Sequence, residues 1–137
     1  MRTAIDTNIL AALFSDEPGA SEAAALLGQA SREGGLVIAA PVFAELRADP
    51  RASEGFLDDF LAGTGVVVDF VLEESLWREA GRRFALYAKR RRKSGGGHPK
   101  RLLVDFLIGA HAELLADRLL TFDRDRYARD FPQLRLM

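Results

Sequence analysis

The sequence contains no cysteine, and this absence excludes several kinds of site at once. Disulfide frameworks and thiolate metal sites are impossible, and the Cys/His spacings of structural zinc are missing. Only two histidines occur, and neither is accompanied by a serine or cysteine that would complete a nucleophilic triad. Any metal ion bound by this protein must therefore be held by oxygen or imidazole ligands.

Long apolar runs are missing as well. No stretch approaches the roughly 20 apolar residues that a membrane-spanning helix needs, and Asp6 stands where a signal peptide would have its apolar segment. These features predict a cytoplasmic protein without a membrane anchor. The 137 residues, nearly half of them hydrophobic, suffice for one compact domain over residues 1–137, since neither a repeat nor a linker divides them.

Charge is distributed unevenly, although the net charge is only -1. Residues 1–81 hold fourteen acids and five bases, and residues 102–137 hold six acids and five bases. Between them, residues 82–101 hold nine bases and no acid. This basic segment is the part of the chain that would attract a polyanion.

Short apolar runs alternate with helical patterns along the chain. The runs predict buried strands at residues 2–5, 36–39, 66–68 and 119–122, with a last edge strand at 134–136. Among the helices between them, residues 73–92 are amphipathic, whereas residues 102–116 are apolar almost all round, which predicts a buried helix. Because strands that alternate with helices imply parallel crossovers, we predict a three-layer α/β fold around a mainly parallel sheet.

Four acidic residues lie beside these elements in positions that favour a shared site. Asp6 closes the first strand and Asp123 follows the strand at 119–122, so both lie at the sheet edge where ligands bind. Glu45 lies one turn into the helix after the second strand. Asp105 is surrounded by apolar residues, where a carboxylate is costly unless it is paired or metal-bound. Converging carboxylates repel one another unless a hard dication such as Mg²⁺ or Mn²⁺ lies between them.

Each of these acids, taken alone, also has an ordinary explanation. Asp6 is a suitable helix N-cap, Glu45 a solvated helix residue, and Asp123 a turn former. Asp105 is the hardest to explain in this way, because its predicted helix is apolar. The order of all four acids along the chain, each next to its expected element, is what favours a site.

Four segments carry a resemblance to a known family: IDTNIL at residues 5–10, PVFAEL at 41–46, DFLIGAHA at 105–112 and LLTFD at 119–123. With these segments the chain resembles the PIN-domain family, and within it the ribonuclease toxins of the VapC type. The resemblance spans nearly the whole chain. It implies a five-stranded parallel sheet with an acidic Mg²⁺ or Mn²⁺ site at its carboxyl edge, where metal-activated water hydrolyses RNA phosphodiester bonds.

The resemblance also assigns roles to particular residues. The catalytic positions are Asp6, Glu45, Asp105 and Asp123, of which Asp6, Asp105 and Asp123 are expected to bind the metal. Thr7, Asn8 and Thr121 fall on supporting polar positions, and Asp125 is the alternative to Asp123. As partners, the resemblance implies an RNA substrate, a small antitoxin protein that covers the acidic site, and a second copy of the chain in a homodimer.

The basic segment precedes the helix that carries Asp105, and nearby positive charge would help an acidic site to meet RNA. The residues expected to contact RNA are Arg90, Arg91, Arg92, Lys93, His98, Lys100 and Arg101. The alternative is a solvated helix end, because cations are favourable near a helix C-terminus. His111 is six residues beyond Asp105 and is expected to be a packing residue.

Three other functions compete with that of an endoribonuclease. A haloacid-dehalogenase-like phosphotransferase would need a second acid where Asn8 stands, and a receiver domain with Asp69 as phospho-acceptor would need a lysine near the C-terminus. The third alternative is a catalytically silent module that binds nucleic acid or an antitoxin. Four intact acids argue against it.

Overall fold

The computed structural model describes residues 1–15, 18–97 and 103–137. The predicted RNA contacts at His98, Lys100 and Arg101 therefore lie outside the described residues. The described elements, in chain order, are β1 (Arg2–Ile5), α1 (Thr7–Phe14), α2 (Ala20–Glu33), β2 (Gly35–Ala39), α3 (Ala40–Leu46), α4 (Glu54–Thr64), β3 (Val66–Asp69), α5 (Glu74–Lys93), α6 (Leu103–Leu115), β4 (Arg118–Leu120) and α7 (Arg124–Asp130).

The four strands form one parallel sheet in the order β3-β2-β1-β4. In β1 and β2 every residue after the first is buried, and since neighbouring strand residues point to opposite faces, helices cover both faces of the sheet. The predicted α/β fold with a parallel sheet is confirmed. Ile5 is paired with Leu120, so β1 and β4 end side by side and the residues that follow them are brought together.

The expected fifth strand is wrong. The C-terminal segment meets β4 at a single parallel bridge between Leu119 and Leu136, where the Leu119 amide donates to Arg135 and the Met137 amide donates to Leu119. Pro132 interrupts the chain shortly before this point and has no amide hydrogen for a ladder. Only the last few residues can lie along β4, which is too short a stretch for a strand.

Helix α6 is buried in its middle but not over its whole surface. Residues 106–112 are buried, whereas leucines at both ends of the helix, such as Leu103 and Leu114, are exposed. The apolar sequence of this region therefore overstated its burial. Gly109 allows α6 to pack closely against Phe131, because a Cβ atom at this position would lie 2.3 Å from the Phe131 ring. Within the described ranges, no helix has the length and hydrophobicity needed to cross a membrane.

Candidate active site

Asp6 lies at the carboxyl end of β1 and is the N-cap of α1. Its side chain is buried, and both carboxylate oxygens accept hydrogen bonds: Oδ1 from the Thr7 amide at 2.8 Å and Oδ2 from the Thr121 hydroxyl at 2.7 Å. The Asp6 amide donates to the Leu120 carbonyl at 3.0 Å, which holds the two strand ends together. The N-cap role foreseen for Asp6 is therefore real, and it accounts for only one of its two oxygens.

The carboxyl group of Asp6 is electrostatically strained. Its pKa is raised from 3.8 to about 6, chiefly by burial; the hydrogen bonds from Thr121 and Thr7 lower the pKa, and the negative charges of Asp105 and Asp123 contribute to the rise. Two of the other predicted site acids are thus near enough to repel Asp6. A buried carboxylate with acidic neighbours costs folding free energy unless positive charge or a proton compensates for it.

Glu45 is joined to this group through Thr7. The Thr7 hydroxyl donates to Glu45 Oε1 at 2.6 Å, although the two residues are 38 positions apart in the sequence. Glu45 lies in the last turn of α3, which directly follows β2, the neighbour of β1 in the sheet. A chain of contacts therefore runs from Asp6 through Thr7 to Glu45.

Asp123 is held on the other side, just beyond β4. Its amide donates to the Thr121 hydroxyl at 3.0 Å, and its carboxylate accepts a long hydrogen bond of 3.4 Å from the Asn8 side chain. The side-chain oxygen of Asn8 in turn accepts from the Phe122 amide at 3.3 Å. The predicted strand at 119–122 included Thr121, but β4 ends at Leu120, so Thr121 lies just beyond the strand, where its hydroxyl contacts both Asp6 and Asp123.

Asp105 is in the first turn of α6 and is only partly buried. Asp105 has the most apolar sequence neighbours of the four acids, but it is not the most buried of them, because it lies near the exposed end of α6. Asp125 is exposed and lines, together with Asp123, an open cavity of about 280 Å³. The hydrogen bonds from Asn8 and to Thr121 involve Asp123 and favour it over Asp125.

We tested the fit of a divalent cation on this arrangement. In the ranges 1–15, 18–97 and 103–137, no three acidic or histidine side chains form a complete metal site as they stand. The donors present are carboxylate oxygens, which hard dications prefer, and the raised pKa of Asp6 marks a place where positive charge is needed. The residues therefore fit Mg²⁺ or Mn²⁺ by their chemistry.

The sequence matches the model of a known protein family. The family model of the PIN domain matches residues 3–132, which is nearly the whole chain. The chain belongs to the PIN domain family. This membership leaves the phosphotransferase and receiver-domain alternatives without support. A search of curated proteins gives no match.

Solved structures share the fold of this PIN domain. The VapBC2 complex of Rickettsia felis, bound to a DNA fragment from its promoter, aligns with a TM-score of 0.68 at 21% identity, covering 100% of this chain and 98% of that chain. VapBC-1 of nontypeable Haemophilus influenzae aligns at 0.66 and 20%, covering 100% and 97%. A toxin-antitoxin complex of Klebsiella pneumoniae aligns at 0.62 and 19%, covering 98% and 95%.

The basic residues at the end of α5 divide into two groups. Arg90 forms an ion pair with the buried Asp130 of α7, and Arg91 donates to the Gly96 carbonyl. Arg92 and Lys93 are exposed in the last turn of the helix. The sequence did not show that α7 brings further arginines to Arg90 and Arg91. The sequence feature that could have indicated these arginines was the repeated arginine spacing after Asp123.

His111 is the packing residue that was expected, and it has a partner. It is fully buried, and its Nε2 lies 3.1 Å from Asp69 Oδ2 at the end of β3. Burial lowers the pKa of His111, while the hydrogen bond to Asp69 acts in the opposite direction. Asp69 also accepts a hydrogen bond from the Val71 amide at 3.1 Å. Its carboxylate therefore has a structural role, since it contacts both His111 and the segment that follows β3.

The bond between Thr7 and Glu45 gives a direct prediction for this PIN domain. We expect Thr7→Val to lower nuclease activity by about tenfold, as the loss of a residue that orients a site carboxylate does. Stability should change by less than about 1 kcal/mol, the typical net value of one hydrogen bond. Thr7→Ser keeps the hydroxyl and is the control. Equal cleavage by the valine and serine variants would contradict a role for this bond.

Proposed function

We propose that this PIN domain is a divalent-metal-dependent endoribonuclease and the toxin of a VapC-type toxin-antitoxin pair. The observation that carries the proposal is Asp6: a buried carboxylate at the carboxyl edge of the sheet, with Asp105 and Asp123 near enough to raise its pKa. Such crowding is a typical feature of an active site. The structural relatives, which are toxin-antitoxin complexes, support the second part of the proposal.

In this proposal Asp6, Asp105 and Asp123 hold the metal ion, and Glu45 completes the catalytic set. A bound Mg²⁺ or Mn²⁺ would lower the pKa of a water molecule and offset charge on the reacting phosphate. The chain's own residues prepare the site. The Thr7 amide and the Thr121 hydroxyl fix both oxygens of Asp6, the Thr7 hydroxyl orients Glu45, and Asn8 orients Asp123.

The reaction is the addition of water across a phosphodiester bond. The water oxygen forms a bond to phosphorus while a site base takes one of its protons, the bond between phosphorus and the leaving ribose oxygen breaks, and that oxygen takes up one proton from the base or from solvent. We assign the role of this base to Glu45. Its hydrogen-bond partner in the site is the neutral Thr7 hydroxyl, which leaves the carboxylate able to accept a proton from water.

The test is cleavage of RNA by the purified protein. We expect endonucleolytic cutting with Mg²⁺ or Mn²⁺ and none with excess EDTA, and recovery when Mg²⁺ is restored. Failure to cut a broad set of structured and single-stranded RNAs, in the presence of either metal, would favour a catalytically silent binding module. We also propose a small antitoxin and a homodimer as partners. Co-expression with a neighbouring gene and light scattering of the complex would test both.

A further inference from the structure

A cavity of about 460 Å³ lies between the last turns of α5 and α7, outside the acidic site. Its described lining includes four arginines: Arg90 and Arg91 from α5, and Arg126 and Arg129 from α7. We call this cavity the arginine cleft. The residues come from segments more than 30 positions apart in sequence, so the cleft is a product of folding and not simply of the basic run at the end of α5.

One arginine of the cleft, Arg129, carries a charge that no acid of the described ranges balances with an ion pair. Asp130 is the acid in its described lining, and it is buried and paired with Arg90. Arg129 is exposed and makes no ion pair with any residue of the described ranges. Holding several guanidinium groups together is costly unless an anion is shared among them. A guanidinium group also matches the geometry of a phosphate, which it can bind through two parallel hydrogen bonds.

The arginine cleft adjoins Asp123, one of the four acids of the candidate site. Arg126 lines the cleft and also the cavity of about 280 Å³ that contains Asp123, and its Nη1 lies 3.9 Å from Asp123 Oδ2. On the α5 side, Tyr87 lines the cleft and packs its ring 5.6 Å from that of Phe106, the residue after Asp105. The cleft is therefore next to Asp123 on one side and to the residue that follows Asp105 on the other.

We propose that the arginine cleft binds the sugar-phosphate backbone of RNA on one side of the bond to be cut. This inference rests on the proposed ribonuclease function, and it identifies a substrate-binding site separate from the acids. An acidic site repels a polyanionic substrate, and an adjacent cluster of arginines offsets this repulsion while leaving the reacting phosphate at the carboxylates. The contact between Arg126 and Asp123 favours RNA over an acidic peptide, because the proposed reaction needs an RNA phosphate beside the acids, whereas the acidic side chains of a peptide would only be repelled there.

The experiment measures binding apart from cutting. Fluorescence anisotropy with a labelled single-stranded RNA in EDTA gives the affinity at several salt concentrations, and cleavage in Mg²⁺ gives kcat and KM. The variant is Arg129→Gln, which removes an exposed positive charge. Arg129 makes no ion pair with any of the described residues. The matched control is Arg78→Gln, which removes an equal charge from an exposed surface pair at the other end of α5.

We expect Arg129→Gln to weaken RNA binding by about three- to tenfold and to reduce the slope of log affinity against log salt by about 1. KM should rise with kcat unchanged, and Arg78→Gln should match the wild type. Equal affinity and equal slope for Arg129→Gln and wild type would overturn the proposal, and so would an equal loss in the Arg78 control. Weaker binding of polyglutamate with unchanged RNA binding would overturn it in favour of an acidic protein partner.

The two hypotheses can fail separately. If wild type does not cut RNA while Arg129→Gln still binds RNA more weakly, the ribonuclease function fails and the arginine cleft remains an RNA site. If wild type cuts RNA and Arg129→Gln binds and cuts equally well, the arginine cleft fails and the ribonuclease function stands.

Discussion

Asp6→Asn is expected to abolish RNA cleavage and, at neutral pH, to make the metal-free protein more stable. In the proposed mechanism Asp6 helps to hold the metal ion that offsets charge on the phosphate, so its loss should reduce the rate by at least about 100-fold. The gain in stability has a separate cause. Asparagine keeps the shape of Asp6 but removes a buried negative charge that Asp105 and Asp123 repel.

The pH dependence of this stability gain follows from the sign of the pKa shift. The pKa of Asp6 is about 6 in the folded protein and near 3.8 when unfolded. Below the unfolded value the carboxyl group is neutral in both states and folding is not penalised. Stability is lost as the pH rises through the folded pKa, by about 3 kcal/mol at most for a shift of this size. Asparagine cannot accept from Thr121 on its nitrogen, so about 1–2 kcal/mol is the expected net gain.

The measurement is urea unfolding of both proteins in EDTA from about pH 4 to about pH 7.5. The stability difference should be small at the acidic end and largest above about pH 6. Asp125→Asn is the matched control: it neutralises an exposed acid two residues from Asp123 and should retain cleavage. A stability difference that does not change with pH would show that Asp6 is not strained, and loss of cleavage in the Asp125 variant would move the site toward that residue.

The sequence predicted the strands, helices and turns that carry the site residues better than it predicted how deeply those residues are buried. The strand-to-helix turn at Asp6, the helix carrying Glu45 and the loop at Asp123 all lie where their local patterns placed them, because turns, caps and apolar runs are local features. Burial depends on which elements pack together. Asp105 stands in an apolar run and is half-exposed, whereas Asp6, which a simple cap would explain, is buried.

Long-range contacts were beyond prediction for the same reason. The hydrogen bonds from Thr121 to Asp6 and from Thr7 to Glu45 join residues 115 and 38 positions apart, and a resemblance to a family supplied these residues without their partners. The fifth strand failed because an apolar C-terminal run does not reveal whether it reaches the sheet for one bridge or several. The arginine cleft also needed the fold, which brings α7 against the end of α5.

Gly109→Ala is expected to destabilise the protein by about 1–3 kcal/mol, although alanine is the better helix former by about 1 kcal/mol. The added Cβ would lie 2.3 Å from Cε2 of Phe131, which is fully buried and cannot simply swing away. Phe131 packs against Phe106 at 6.1 Å between ring centroids. Movement of this ring therefore disturbs the residue next to Asp105, and cleavage by the folded fraction should also fall.

Gly81→Ala is the matched control, because its Cβ would meet no atom within 4 Å in the middle of helix α5. This variant should gain up to about 1 kcal/mol from helix propensity alone, so the two alanine substitutions are expected to have opposite signs. Urea unfolding measures both. A third protein, Gly109→Ala with Phe131→Leu, tests the cause: relief of the clash should make the double variant more stable than the two separate losses predict. Strict additivity of the two losses would show that the Phe131 ring is not what excludes a side chain at position 109.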